Sequence, residues 1–125
     1  MSFQTGLSGL AASSRSLDVI GNNIANANTT GMKSSRAEFS DIVASSLGAS
    51  GGGGSGIGVS VATVSQAFSQ GSINITGNNL DVAVNGGGFF QQTMPDGSFA
   101  YTRAGNFKLD ATGNMVTNSG GKVMG

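Results

Sequence analysis

Residues 3–31 read FQTGLSGLAASSRSLDVIGNNIANANTTG, and the spacing of their apolar side chains decides how the chain begins to fold. Phe3, Leu7, Leu10, Leu17 and Ile24 alternate at steps of four and three, with Ser14 and Gly21 in the two remaining slots of a heptad seam. Ile20 and Ala27 widen the stripe, and Ser, Thr, Arg15 and Asp18 occupy the other side. Glu–Lys pairs that would support a free helix are nearly absent, and the Ser and Gly residues lower its propensity. The pattern predicts an amphipathic helix that is marginal alone and stable when its stripe is covered, either by the protein's own core or by other molecules. The run NNIANANTTG, residues 22–31, is rich in capping and turn residues and ends the helix, with Gly31 suited to a left-handed stop.

Beyond this point Phe39, Ile42, Val43 and Leu47 fall at helical spacing, which predicts a short helical piece over 36–47. Residues 48–58, GASGGGGSGIG, have the composition of a flexible linker. No Gly-Lys-Ser/Thr follows the four glycines, so they do not make a phosphate loop. From Ile57 the period changes to two. Ile57, Val59 and Val61 alternate and Val64 falls out of phase, which places a bulge near Ala62. Leu80, Val82 and Val84 alternate again. Pro95-Asp96-Gly97-Ser98 separates 89–94 from 99–103, and Asp110-Ala111-Thr112-Gly113-Asn114 separates 107–109 from 115–117, giving two hairpins. Lys122–Met124 begins one more strand. The expected core is Val82, Val84, Phe89, Phe90, Tyr101, Phe107, Leu109 and Val116. The fold class is therefore α+β: a long N-terminal amphipathic helix (1–33), a short helical piece and Gly-rich linker (34–58), then a small antiparallel β domain (59–125) that looks truncated.

Composition narrows the function. The 125 residues include 22 Gly, no Cys and no His, and six basic groups balance six acidic ones. Disulfides, thiolate or imidazole metal sites, and Ser–His or Cys nucleophiles are excluded, and no cofactor is expected. The scattered charges offer no basic run for nucleic acid. No stretch reaches the roughly 20 apolar residues of a bilayer span, so membrane insertion is not expected. The opening MSFQTGLSGL lacks a positive n-region and a long apolar core, so no cleaved signal peptide is expected. The best convergent polar pair, Asp81 with Arg103, reads as a structural salt bridge rather than as catalytic machinery. The chain is read as a non-enzyme.

Three blocks, in order, resemble the bacterial flagellar rod and hook family of axial proteins. The first is LDVIGNNIANANTTGMK, residues 17–33, which is similar to the family's N-terminal signature at Asn22, Asn23, Ala25, Asn26, Thr29 or Thr30, Gly31 and Lys33, with Met32 where Phe or Tyr is commoner. The second is LDVAVNGGGFF, residues 80–90, and the third runs from Pro95 to Gly125. Within the family the opening residues look like hook protein, with the distal rod subunit as alternative; outside it, a secreted β-rich binding module is the competing reading.

The resemblance implies a structural subunit that polymerises into the flagellar hook, the flexible joint between rod and filament. It implies that the helix pairs with a C-terminal helix in the inner tube, making Phe3, Leu7, Leu10, Leu17, Ile20 and Ile24 a polymerisation seam. It implies a homo-polymer whose further partners are rod and hook–filament junction proteins, the hook cap and the flagellar export apparatus. Phe39-Ser40-Asp41-Ile42-Val43 matches the family's Phe-x-x-x-hydrophobic export-gate element at Phe39 and Val43. The expected location is the flagellar basal body and hook, reached by export to the cell exterior without a cleaved signal. Hook proteins continue past the point matching Gly125 into outer domains and the partner helix, so the β domain is expected to be incomplete.

Overall fold

A computed structural model describes residues 2–43 and 56–125. The chain forms two compact units, one from the described residues of Met1–Ala27 and Lys33–Ala67, the other from Asn28–Met32 and Phe68–Gly125. The fold class is α+β, with one helix followed by antiparallel sheets.

In the first unit α1 spans Ser2–Ala25, and the asparagine-rich run after it is a turn. The helix stops where Asn26 and Ala27 bond back to Asn22 and Ile24 at 3.1 and 3.2 Å and the chain then turns away. The strands β1 (Ser35–Val43) and β2 (Gly56–Gln66) form an antiparallel pair running from Ser35↔Gln66 to Val43↔Gly56. The ladder steps from Glu38↔Thr63 to Phe39↔Val61, leaving Ala62 as the extra residue. That is the bulge announced by the slipped phase of Val64. It keeps Val61 and Val64 paired with Phe39 and Ala37 despite their odd spacing.

Two expectations are corrected here. Residues 36–43 are strand, not helix, and Leu47 lies outside the described residues. The spacing of Phe39, Ile42 and Val43 fits a helix, but these β-branched and aromatic residues have a strand partner across the glycine tract, and ladder pairing overrides the local pattern. Of the expected linker, residues 48–55 lie outside the described residues, whereas Gly56–Gly58 already belong to β2. Consequently residues 59–66 pair with β1, not with the strands beyond residue 90.

The second unit carries a five-stranded antiparallel sheet of β3 (Phe90–Thr93), β4 (Phe99–Thr102), β5 (Lys108–Leu109), β6 (Met115–Val116) and β7 (Lys122–Val123), ordered β4-β3-β7-β6-β5. Three turns of one design connect neighbouring strands. In each, the first residue's N–H bonds to the fifth residue's carbonyl and the fourth residue, a glycine at positive φ, bonds back to the first: Met94 to Ser98, Asp110 to Asn114 and Thr117 to Gly121. This is the three-residue hairpin loop that ends on a left-handed glycine. Sequence reading located the first two and passed over the third. Leu80–Val84 is not a strand; Asp81 makes an isolated bridge to Asn106, flanked by bonds from Val82 N to Gly105 O and from Phe107 N to Leu80 O.

The expected core is only partly a core. Phe107 is buried, and Phe90 meets it edge-on with ring centroids 5.1 Å apart. Val84 and Val116 are half-buried, whereas Val82, Phe89, Tyr101 and Leu109 are exposed. Strands of two to four residues bury too little of either face to enclose eight large side chains. Instead a polar residue, Gln92, lies buried mid-sheet, its Oε1 accepting the Thr117 hydroxyl at 2.7 Å.

Candidate functional site

The helix presents two unlike faces. Phe3, Leu10, Leu17 and Ile24 are 78%, 70%, 68% and 71% exposed, and Leu7 and Ile20 are exposed as well. The covered side consists of Ser8, Gly9, Ala12, Ser16, Val19 and Asn23, all half-buried. At 3.6 residues per turn, the centres of the two sets lie roughly 140° apart around the axis. The six residues of the sequence-derived seam therefore share one stripe, and that stripe faces away from the hairpin.

Small side chains on the covered face let backbone and polar groups meet. Thr5 Oγ1 donates to Ile57 O at 3.3 Å, and Ser8 Oγ accepts from Val59 N at 3.2 Å while donating to Thr5 O at 2.8 Å. Between those two β2 residues, a Cβ on Gly58 would fall 2.6 Å from Ser8 Oγ, so only glycine permits this approach. At the other end, Asn23 Nδ2 donates to Ser35 O at 2.6 Å and Ser35 N donates to Asn23 Oδ1 at 2.9 Å. Helix and hairpin are thus joined by hydrogen bonds and small-residue contact rather than by the large apolar side chains.

The signature residues sort by place. Asn22 and Asn26 shape the helix end: Asn22 Nδ2 donates to Asp18 O at 3.3 Å, and Asn26 Nδ2 donates to Asn22 O at 3.0 Å. Ala25 is the last helical residue, and Lys33 is a half-buried residue leading into β1. Gly31 has φ +75°, the left-handed conformation expected of it, and sits against backbone: a Cβ there would lie 2.5 Å from Ala104 N. Nothing in the sequence announced that contact or the Asn23–Ser35 pairing. The signal that was available, small residues at helical spacing from Ser8 to Asn23, resembled an ordinary solvent face.

Phe39 and Val43 of the export-gate pattern lie on β1 opposite Val61 and Gly56, both exposed. Asp81 and Arg103 do not pair, which corrects the expected salt bridge. Asp81 accepts from Thr76 Oγ1 at 2.7 Å and Asn78 Nδ2 at 3.3 Å. Arg103 instead organises the triple-glycine loop: Nε donates to Gly88 O at 2.9 Å, Nη2 donates to Gly86 O, and the guanidinium lies 5.7 Å from the Phe89 ring centroid. Gln70 Oε1, which accepts from Gly86 N at 3.3 Å, accepts from Arg103 Nη1 at 3.4 Å as well. Local hydrogen bonds satisfy these polar groups more cheaply than an exposed ion pair would. No helix among the described residues is long and apolar enough to cross a membrane.

Comparisons with known proteins meet this geometry at both ends of the chain. A family model described as flagella basal body rod protein matches residues 3–33, which hold the exposed stripe and the asparagine run. A second, described as flagellar hook protein FlgE/F/G D1 domain, matches residues 83–125, the region of the five-stranded sheet. The flagellar hook protein FlgE of Salmonella typhimurium strain LT2 is 45% identical over 125 residues, covering 100% of this chain and 29% of FlgE. The flagellar basal-body rod protein FlgG of Bacillus subtilis strain 168 is 44% identical over 133 residues, covering 98% of this chain and 50% of FlgG. FlgG of Buchnera aphidicola from Schizaphis graminum is 42% identical over 123 residues, covering 90% of this chain and 47% of its own length. The chain spans half or less of the length of each of these relatives.

Proposed function

Because the chain belongs to the flagellar rod and hook protein family, we propose that it is a structural subunit that polymerises into the flagellar hook. The observation that carries this reading is the stripe of Phe3, Leu7, Leu10, Leu17, Ile20 and Ile24, which is formed and aligned yet faces solvent. Each such side chain gains about 1.5–3 kcal/mol when a neighbouring subunit removes it from water. Six on one helix, repeated at every subunit, make a cooperative seam. A secreted β-rich binding module leaves the stripe and the match over residues 3–33 without an explanation.

A distal rod subunit is the second reading, since hook and rod proteins match at similar identity. Hook is favoured by the opening residues and by alignment length. FlgE aligns over 125 positions for all of this chain, whereas Bacillus subtilis FlgG needs 133 positions for 98% of it, so that rod protein has residues absent here. Under the hook reading the subunit passes through the flagellar export apparatus by way of Phe39 and Val43. It then adds beneath the hook cap and adjoins rod and hook–filament junction proteins.

The deciding experiment is Leu10→Asp. Leu10 is 70% exposed, so the monomer's melt should move little. In the polymer the carboxylate enters a packed apolar layer at a cost of several kcal/mol, and sedimentable polymer should disappear. Polymer of normal yield, or a monomer that melts on the order of 10 °C lower, refutes the seam. Imaging of parent polymer separates curved hook from straight rod.

A further inference from the structure

We infer that Asn23 is a register pin that, together with Ser8, sets the rotation and axial position of α1 on the β1–β2 hairpin and so aims the apolar stripe outward. One primary amide captures both hydrogen-bonding groups of one residue, Ser35, as a neighbouring strand would. The carboxamide supplies donor and acceptor side by side from one planar group; an ionised aspartate accepts only and would lose the bond to Ser35 O. On the neighbouring peptide, Ser34 O accepts from Ala67 N at 2.9 Å, so the start of β1 is held by β2's continuation and by the helix together.

The second point of attachment lies where Ser8 meets Val59 N beside Gly58. The two points are matched in length. Fifteen residues of helix from Ser8 to Asn23 rise about 22 Å. Seven residues of strand from Ser35 to Ile42, the partner of Gly58, span about 23 Å. A slip of the helix by one turn, about 5.4 Å, would break both pins together, and a rotation large enough to turn the stripe inward would carry Asn23 and Ser8 off the hairpin. No large apolar side chain of the seam resists such a movement, because all six lie on the other face. On the covered face the apolar side chains are Ala12 and Val19, which pack without fixing a register, so the directional part of the alignment comes from these polar contacts. The exposed seam is the one element taken from the proposed function.

The test reads the monomer, so failure of the polymerisation reading leaves it intact. The chain has no cysteine, so Ala11→Cys and Ser60→Cys give a clean spin-label pair across helix and β2. Amide exchange at Ser35 and Glu38 is followed in the same samples. The parent should show one narrow label distance and a protected Ser35 amide. In Asn23→Ala the distance distribution should broaden and Ser35 exchange should accelerate about three- to tenfold, with Glu38, whose amide faces β2 in the ladder, unchanged. Asn23→Asp, which keeps the acceptor for Ser35 N but loses the donor, should broaden the distance while retaining much of the Ser35 protection. An unchanged distance in the Ser8→Ala/Asn23→Ala double variant overturns the inference. So does equal acceleration at Ser35 and Glu38, which would make Asn23 a general stabiliser of the unit rather than a pin.

Discussion

Replacing Gly31 by alanine tests the second unit at the point where it receives residues 28–32, and Gly77 supplies the control. The two glycines have nearly the same backbone, φ +75° and +76°, so alanine at either one pays the left-handed strain of an L-residue, about 1–2 kcal/mol. They differ in what the new methyl meets. At Gly77 nothing lies within 4 Å. At Gly31 the Cβ would lie 2.5 Å from Ala104 N, 2.8 Å from Ala104 Cα and 2.9 Å from Arg103 C, all backbone atoms that cannot rotate aside. Overpacking of this kind adds about 1–3 kcal/mol, giving about 2–5 kcal/mol for Gly31→Ala. A unit of this size loses about 4–8 °C per kcal/mol, so its melting temperature should fall by about 8–40 °C, and by roughly half as much for Gly77→Ala. Thermal unfolding followed through Tyr101, the chain's one tyrosine and a residue of β4, reads both variants in the same unit. Equal melting temperatures for the two variants would refute the close backbone approach at Gly31 and leave only the shared strain.

Phe39→Ala should abolish export while cytosolic levels stay normal, measured as secreted against cell-associated protein. Val61→Ala alters the same cross-strand pair from the β2 side, outside the export pattern, and should leave export intact; equal loss in both variants would assign the effect to the hairpin. Asp96 gives a pH-dependent turn. The Ser98 hydroxyl, and then the Ser98 backbone N–H, hold its carboxyl below the ordinary value of 3.8. The folded pKa is depressed, so the stabilisation is present above the unfolded pKa and is lost as pH falls through the folded one. The Ser98 amide shift should therefore titrate in acid below pH 3.8, and Asp96→Asn should remove that titration.

Periodicity and turn chemistry carried much of the architecture. The 4–3 alternation from Phe3 to Ile24 specifies a helix with one apolar stripe, because side-chain direction follows directly from 3.6 residues per turn. The phase slip before Val64 specifies the Ala62 bulge, and Asp96-Gly97 and Thr112-Gly113 specify left-handed glycine turns, since each is a local property of the backbone. What the sequence left undecided depends on partners far along the chain. Phe39, Ile42 and Val43 satisfy a helical spacing, and only β2, across the glycine tract, makes them a strand. Asp81 and Arg103 are opposite charges in the sequence, but Thr76, Asn78 and two glycine carbonyls lie closer in space. The stripe itself shows that α1 has an apolar face without showing where that face points. Its outward direction was decided by tertiary structure: Ser8, Gly58 and Asn23 allow the small-residue face a hydrogen-bonded approach to the hairpin that the bulky face has no means to make.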